Sequence, residues 1–238
     1  MSRNTRSPQG SADPSSSRSR ASGPSRRTVF LAAGAVTLVA AGGGAAYWAH
    51  RNEQEDARMA QRPGLLNPDA PTLGDPAAKV RIVEFLDPAC ETCAQFYPLV
   101  KKVLADNPGR IQLAVRHVPL HPGAEDVVAL LEASRAQDKY WLVLETLLQT
   151  QNRWVRRHVV QPQLALQVLE GLGLDWDRLA LDMASEPVKQ RVARDRGDAA
   201  LLNVKATPEY IVNGRQMETF GRQQLLALIE RALEKAYP

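Results

Sequence analysis

A buried-strand pattern that runs directly into a Cys-x-x-Cys motif constrains this chain more than any other feature. The segment Val80–Leu86 is mostly β-branched or aromatic, and the turn residue Pro88 follows it closely, which is typical of a strand that ends in a turn. After the motif, apolar residues recur at helical spacing: Phe96, Leu99, Val100, Val103 and Leu104. The pattern predicts that Cys90 lies at the N-terminus of a helix and Cys93 one turn further in.

This placement predicts redox chemistry at the two sulfurs. Unpaired backbone N–H groups and the helix dipole favour a negative charge at a helix N-terminus. We therefore expect the Cys90 thiol to ionise below its free pKa of about 8.5 and to act as a nucleophile. Cys93 would then attack a mixed disulfide on Cys90 and release the partner. These are the only two cysteines, so no separate structural disulfide is possible within one chain.

The charge distribution argues against a nucleic-acid partner. The chain has 238 residues, enough for one globular domain with appendages. Residues 1–51 hold seven arginines and one aspartate, whereas the remainder holds 23 basic and 25 acidic residues. The formal charge of +4 therefore comes from the N-terminal segment, and we expect no nucleic-acid binding by the folded part.

The N-terminal residues predict export. Residues 1–27 are rich in Ser, Arg, Pro and Gly and should form a disordered cytoplasmic tail. Residues 28–49 form an apolar run long enough to cross a bilayer. Arginines precede this run and acidic residues follow it, which places the N-terminus in the cytoplasm and the Cys-x-x-Cys motif outside.

Two interpretations of this apolar run stay open. It is either an uncleaved membrane anchor, or a cleaved export signal with the small residues 44–46 at the cleavage site. The first predicts an inner-membrane protein with its domain in the periplasm, and the second a soluble exported protein. Either compartment is oxidising, which suits disulfide chemistry.

The remaining chain predicts an α/β domain with a helical insertion. Residues 50–76 are polar and contain four prolines, which is typical of a tether, and the domain is expected over 77–238. A second strand is predicted over 111–118, and helical patterns without a convincing strand occupy about 123–202. A hairpin then follows, with strands at 209–212 and 215–220 around Asn213-Gly214, and a last helix at 222–237.

From about residue 74 to its end, the chain resembles the DsbA-like thiol:disulfide oxidoreductases of the thioredoxin fold. Several features together carry this resemblance: the motif Cys90-Glu91-Thr92-Cys93 after a strand, Pro98 five residues later, Glu84 in the preceding strand, and Thr207-Pro208 before the hairpin. The resemblance implies a thioredoxin fold, ordered βαβ then ββα, with an all-helical domain inserted between the two halves.

The resemblance also implies a role for each matching residue. Cys90 would be the attacking, solvent-facing thiolate and Cys93 the buried resolving thiol. A cis Pro208 would place the Thr207 backbone beside the sulfurs, where it pairs with an extended substrate. Glu84 would exchange a proton with Cys93, using a pKa raised by burial. The implied partners are proteins with thiols or disulfides and a redox partner of the membrane or periplasm, with no cofactor and no metal.

The dipeptide between the cysteines departs from the family pattern. Strong oxidants of this family carry Pro-His or a similar pair, whereas this chain carries Glu91-Thr92. An acidic neighbour disfavours a thiolate, so we expect a weaker oxidant and a Cys90 pKa that is not below about 4. Thr207 resembles the isomerase and reductase branches, so the direction of electron flow stays open.

Two alternatives compete with the redox interpretation. Cys-x-x-Cys is also half of a zinc site, and His117 and His121 supply an H-x3-H pair, although the 24 positions between Cys93 and His117 exceed the usual finger spacing. His121 is also a candidate for tuning the active face. The other alternative is a non-catalytic binding or chaperone-like module on the same fold, which would keep its activity after a Cys90→Ser change.

Overall fold

The computed structural model describes Tyr47, His50, Arg51, Gln54, Arg58 and residues 61–238. The chain divides into two units, residues 1–50 and 51–238, and the second contains the Cys-x-x-Cys motif. Within the described residues, no helix is long and apolar enough to cross a membrane. The predicted tail at 1–27 and the predicted span at 28–49 lie outside the described residues, apart from Tyr47.

A five-stranded sheet forms the centre of the second unit. Its strands are β1 (Thr72–Gly74), β2 (Val80–Leu86), β3 (Ile111–His117), β6 (Glu209–Val212) and β7 (Arg215–Gln216), in the spatial order β1-β3-β2-β6-β7. β2 and β3 are parallel, and the other neighbours are antiparallel. A two-stranded hairpin of β4 (Val155–Arg156) and β5 (Val159–Val160) lies outside this sheet.

Eight helices with described bounds surround the sheet or form the insertion. They are α1 (Glu91–Asp106), α2 (Ala124–Ser134), α3 (Tyr140–Gln149), α4 (Gln151–Trp154), α5 (Pro162–Gln167), α6 (Trp176–Met183), α7 (Glu186–Leu201) and α8 (Arg222–Ala236), with a 3-10 turn at Arg135–Gln137. α1 connects the parallel strands β2 and β3, which is the crossover that parallel pairing requires. The order βαβ, helical insertion, ββα predicted from the sequence is confirmed.

The two central strands are buried on both faces, so each carries apolar residues on both faces. On one face, Ile82 and Val115 pack in the larger core together with α1, α8 and the insertion. On the other face, Val83 and Phe85 pack in a smaller core with the end of α7. Alternate residues of β2 therefore face different cores, and Glu84 shares the face of Ile82.

Strand β1 corrects the predicted tether. The sequence analysis left residues 72–74 in the tether at 50–76, but they pair antiparallel with β3 at the edge of the sheet. Leu65, also assigned to the tether, is 4% exposed and packs in the smaller core. A three-residue strand is too short to show a period-two pattern, and its pairing with β3 is a tertiary contact.

The hairpin β4–β5 corrects the all-helical insertion. Arg157 and His158 form its turn with φ of 51° and 61°, a backbone that β-hairpins usually give to Asn or Gly. Two-residue strands without a typical turn sequence leave no detectable pattern. The return strand predicted over 215–220 is also shorter, because β7 ends at Gln216.

A buried arginine connects β3 to α7 on the smaller-core face. The Arg116 side chain is 1% exposed, and its Nε and Nη2 lie 2.5 Å from Asp195 Oδ1 and Asp198 Oδ2. Nη1 donates to the Gly64 carbonyl at 3.1 Å, and the guanidinium lies 5.5 Å from the centre of the Phe85 ring. Every branch of this buried cation therefore has a partner, as burial of a charge requires.

Candidate active site

The Cys-x-x-Cys motif begins α1, as predicted. Cys90 is the N-cap residue, with extended backbone angles, and its N–H donates to the Asp87 carbonyl at 3.0 Å. Cys93 lies one turn into the helix and is fully buried. Both residues are free thiols, so the structure represents the reduced form of the pair.

A second segment, 117 residues further along the chain, completes the site. The peptide bond between Thr207 and Pro208 is cis, as the resemblance implied. The Cys90 thiol donates to the Thr207 main-chain carbonyl, with 3.1 Å between sulfur and oxygen. Four of the five predicted site residues are therefore brought together where β6 follows the Thr207-Pro208 bond.

The environment of Cys90 stabilises its thiolate. Its pKa falls from the ordinary value near 9.0 to about 5. The largest cause is a hydrogen bond from the Cys93 thiol, which outweighs the opposing effect of burial. The Thr207 hydroxyl and the backbone N–H groups of Cys93 and Thr92 lower the pKa further. Thr207 thus contributes a carbonyl that accepts from the thiol and a side chain that lowers the pKa of that thiol.

Cys93 has the opposite electrostatic environment. Burial raises the pKa of its thiol well above the ordinary value. The negative charges of Cys90 and Glu84 raise this pKa further, whereas a backbone hydrogen bond at Asp87 lowers it. One turn of helix therefore separates a readily ionised sulfur from one that holds its proton, and this asymmetry distinguishes an attacking from a resolving thiol.

Glu84 is a buried acid with one unsatisfied oxygen. Its side chain is 0% exposed, and Oε1 accepts a hydrogen bond from the Tyr210 hydroxyl at 2.8 Å. Oε2 has no hydrogen-bond partner among the described residues. Burial is the main cause that raises the Glu84 pKa to about 7, with the Cys90 charge adding to it and Tyr210 opposing it. The predicted burial and raised pKa are present, and the charge of Glu84 raises the pKa of Cys93.

Tyr210 is a site residue that the sequence analysis missed. It pairs directly with Glu84 across β2 and β6, so both side chains lie on one face of the sheet. The hairpin pattern predicted the strand but not its register with β2. Given that register, the position of Tyr210 opposite Glu84 would have followed.

Asp87 is a second missed residue, and it organises the turn before Cys90. Its buried carboxylate accepts hydrogen bonds from the backbone N–H of Ala89, Leu120 and His121, at 2.7–2.9 Å. It also contacts His121 Nδ1 at 2.7 Å. The aspartate joins the Cys-x-x-Cys turn to the loop after β3, and its place directly before Pro88 was the only sequence signal for it.

Gln151 connects the helical insertion to the site. Its Nε2 donates to the carbonyls of Pro88 and Cys90, at 2.8 and 3.0 Å. Nothing in the local sequence distinguishes this glutamine from the others, because its partners lie some 60 positions away. The insertion thus contacts the reactive turn directly.

One expectation about Cys90 needs correction. The residue is only 6% exposed, so it is not broadly solvent-facing. The Thr207 carbonyl accepts from its thiol and the Gln151 side chain donates to its carbonyl, so both lie against this residue. Glu91 is exposed, where water screens its carboxylate, and it is not among the main causes of the Cys90 pKa. The value near 5 agrees with the expectation that this pKa is not below about 4.

The two histidines of the zinc alternative have other partners. His117 is fully buried, and its Nε2 lies 2.8 Å from the Tyr140 hydroxyl. His121 contacts Asp87, as described above. In the part of the chain that the structure describes, no three His, Cys, Asp or Glu side chains are grouped so that they could hold a metal ion.

Comparison with known proteins decides the family. A family model described as "Thioredoxin" matches residues 66–231, which include both cysteines, Thr207 and Pro208. The chain belongs to the thioredoxin family. The match begins well before residue 77, in agreement with the position of β1 in the sheet.

Two proteins similar to this thioredoxin-family protein are named for disulfide formation or redox chemistry. A probable disulfide bond formation protein D of Bacillus cereus is 29% identical over 151 residues, covering 60% of this chain and 69% of that protein. A thioredoxin-like oxidoreductase from Silicibacter pomeroyi has a TM-score of 0.62 at 27% identity, covering 71% of this chain and 94% of that one. The DsbA-like resemblance predicted from the motifs is confirmed.

Two further comparisons show only a shared fold or a similarity to part of a longer protein. Wolbachia pipientis α-DsbA1 has a TM-score of 0.61 at 18% identity, covering 72% of this chain and 94% of that one, and shows a shared fold. A protein of Salinispora tropica named Na(+)/H(+) antiporter NhaA 3 is 33% identical over 146 residues, which is 60% of this chain. This chain spans about a fifth of that relative's length (21%), so the similarity concerns one part of a much longer protein.

Proposed function

We propose that this protein is an exported thiol–disulfide oxidoreductase that exchanges disulfides with protein thiols through Cys90 and Cys93. The observation that carries this proposal is the asymmetry of the pair. Cys90 at the helix N-terminus, facing Thr207, has a pKa near 5, whereas the buried Cys93 has a raised pKa. The similarity to a protein named for disulfide bond formation and to a thioredoxin-like oxidoreductase supports the same reaction class.

In the oxidising direction, a substrate thiolate attacks the Cys90 sulfur of the Cys90–Cys93 disulfide. The disulfide breaks, and Cys93 leaves as a thiolate that takes a proton from Glu84, whose pKa near 7 allows it to hold one. A second substrate thiolate then attacks the substrate sulfur of the mixed disulfide, and Cys90 leaves as its stable thiolate. The substrate loses two electrons and the pair gains them. The reducing direction reverses each step.

The Cys90 pKa favours an oxidant of intermediate strength. A stable thiolate stabilises the reduced form and therefore makes the disulfide more oxidising. The corresponding pKa values are about 7 in thioredoxin and about 3.5 in DsbA, so a value near 5 lies between them. We expect a reduction potential between about −270 and −120 mV, the values of those two proteins.

Variants of the two cysteines test the proposal. The wild type should cycle between dithiol and disulfide with dithiothreitol and should form disulfides in a reduced test protein. Cys90→Ser should lose this activity at least ~1000-fold, because it removes the attacking sulfur. Cys93→Ala should still react once and accumulate mixed disulfides on Cys90 that gel electrophoresis detects. Full activity in Cys90→Ser would instead support the binding or chaperone-like module.

We also propose that residues 28–49 carry the domain across the cytoplasmic membrane, as an anchor or as a cleaved signal. The apolar length and the arginines before it support this placement. Fractionation of the host followed by mass measurement of the mature N-terminus tests it. An anchor gives the intact chain in the membrane fraction, a cleaved signal gives a shortened soluble chain, and an intact cytoplasmic chain contradicts export.

A further inference from the structure

A cluster of three arginines and one histidine surrounds the hairpin β4–β5. Arg153, Arg156, Arg157 and His158, here called the basic hairpin, are all exposed. No acidic residue occurs between positions 146 and 169, so the chain offers no local counter-charge. Among the described residues, none of the three guanidinium groups has an ion pair or a hydrogen bond.

Three other exposed arginines of the same domain are paired. Arg178, Arg194 and Arg196 each contact a carboxylate, on Asp182, Asp69 and Glu125. The folded part of the chain carries nearly equal numbers of acidic and basic residues, so unpaired arginines close together are not a consequence of composition. Like charges held close together repel one another, and a bound anion relieves that repulsion.

The basic hairpin is attached to the reactive turn at two points. At its base, α4 begins with Gln151, whose amide donates to the Cys90 carbonyl at 3.0 Å. At its tip, the His158 ring stacks on the His121 ring with 6.1 Å between centroids. His121 in turn contacts Asp87, whose carbonyl accepts from the Cys90 N–H. The basic hairpin is therefore connected at both ends to the turn that holds Cys90.

We propose that the basic hairpin binds acidic residues that flank the substrate cysteine, so that the preferred substrates are protein segments with Asp or Glu near the reacting thiol. This inference rests on the proposed disulfide exchange and specifies its substrate class. A substrate cysteine in contact with Cys90 carries its neighbouring residues past the hairpin. Opposite charges there raise the encounter rate and slow dissociation of the complex.

An acidic protein segment fits this surface better than an anionic membrane does. The basic hairpin is attached to the turn of Cys90, whose sulfur reacts only when a substrate chain contacts it. Whatever the hairpin binds must therefore leave this sulfur accessible. Binding of the hairpin to a bilayer would place lipid headgroups where the substrate chain must approach Cys90. Lipid binding is therefore the competing outcome that the experiment must separate.

Three peptides provide the test. Each holds two cysteines in the same spacing, flanked by Asp and Glu, by Asn and Gln, or by Lys, and reacts in reduced form with the oxidised full chain. We expect the acidic peptide to be oxidised about tenfold faster than the lysine peptide at low ionic strength. The difference should disappear in about 0.5 M salt, where charges are screened within a few ångströms.

Charge reversal assigns the preference to the hairpin. Arg153→Glu combined with Arg156→Glu should remove or reverse the difference in oxidation rate between the peptides. Lys189→Glu combined with Arg231→Glu is the control, because it makes the same change of net charge on exposed residues of α7 and α8. The control should preserve the difference in rate. Both double variants should still cycle completely between dithiol and disulfide with dithiothreitol, which shows that the cysteine pair is intact.

Each remaining outcome has a distinct meaning. Equal rates for the three peptides, with normal dithiothreitol cycling, overturn the substrate preference and leave the oxidoreductase intact. Absence of dithiothreitol cycling in the wild type overturns the proposed function itself. Binding to phosphatidylglycerol vesicles that Arg153→Glu/Arg156→Glu abolishes, without any peptide preference, assigns the hairpin to a lipid surface and overturns the inference.

Discussion

Two buried carboxylates on opposite faces of the same strands are stabilised in different ways. Asp195 accepts from Arg116 Nε, from the His117 backbone N–H and from Asn67, so both of its oxygens are satisfied. Glu84 has one hydrogen bond, from Tyr210, and an unsatisfied second oxygen. The fully paired Asp195 holds elements together, whereas the half-paired Glu84 in an apolar site has a raised pKa and can exchange a proton.

The difference follows from what lies on each face. The Asp195 face carries a cation from β3, and the Glu84 face carries Cys93 and aromatic rings. In the reduced state, a cation beside Glu84 would lower the pKa of this acid. Glu84 would then no longer hold a proton that it could transfer. Three substitutions test whether the two acids differ as described.

The largest effect is expected from Arg116→Met. This change leaves Asp195 buried without its cation and should lower the free energy of unfolding by about 3–5 kcal/mol. Arg178→Met is the matched control, because its partner Asp182 lies four residues away on an exposed helix surface. That control should lose no more than about 0.5 kcal/mol. Urea unfolding of the reduced protein measures both, and a loss under about 1 kcal/mol for Arg116→Met would contradict the structural role of the network.

Glu84→Gln should change how stability depends on pH. The folded-state pKa of Glu84 is raised from 4.5 to about 7, so the native state binds the proton more tightly than the unfolded state. This contribution to stability is fully present below pH 4.5 and is lost as the pH rises to about 7. The stability of the wild type relative to Glu84→Gln should therefore fall by up to about 3 kcal/mol across that range.

Urea unfolding of both proteins at several pH values, with reductant present, provides this difference. The depressed pKa of Cys90 has the opposite effect, because it stabilises the fold as the pH rises above about 5. Both proteins contain Cys90, so the difference between their free energies of unfolding removes most of this effect. Glu230→Gln, on the exposed side of α8, should show no such difference. A wild-type minus Glu84→Gln difference that stays constant with pH would mean that Glu84 has the same pKa in the folded and unfolded chain, and would contradict its raised pKa.

The smallest effect is expected from Tyr210→Phe. Loss of the hydroxyl removes the hydrogen bond that opposes the rise in the Glu84 pKa, so this pKa should move further above 7. Stability should fall by about 1 kcal/mol at pH 8, where Glu84 is ionised, and less at pH 5. Tyr237→Phe removes a hydroxyl near Lys79, far from the site in the fold, and serves as the control. Equal losses at both pH values for Tyr210→Phe would exclude a specific interaction with the ionised acid.

The sequence by itself determined the two cysteines, their position at the start of a helix, and the order of strands and helices. These follow from local patterns: a β-branched run, a turn, and apolar residues at helical spacing. The positions of Glu84, Thr207 and Pro208 could be matched because the family resemblance supplied long-range pairings that no local pattern contains.

Only the tertiary structure decided which groups meet at the sulfurs. The register of β2 with β6 places Tyr210 on Glu84, and Gln151 reaches Cys90 from the insertion. Strand β1 and the hairpin β4–β5 are too short for a periodic pattern, and the buried pair of Arg116 and Asp195 joins residues 79 positions apart. The pKa of each buried group is set by such contacts, because burial and hydrogen-bond partners are properties of the folded chain.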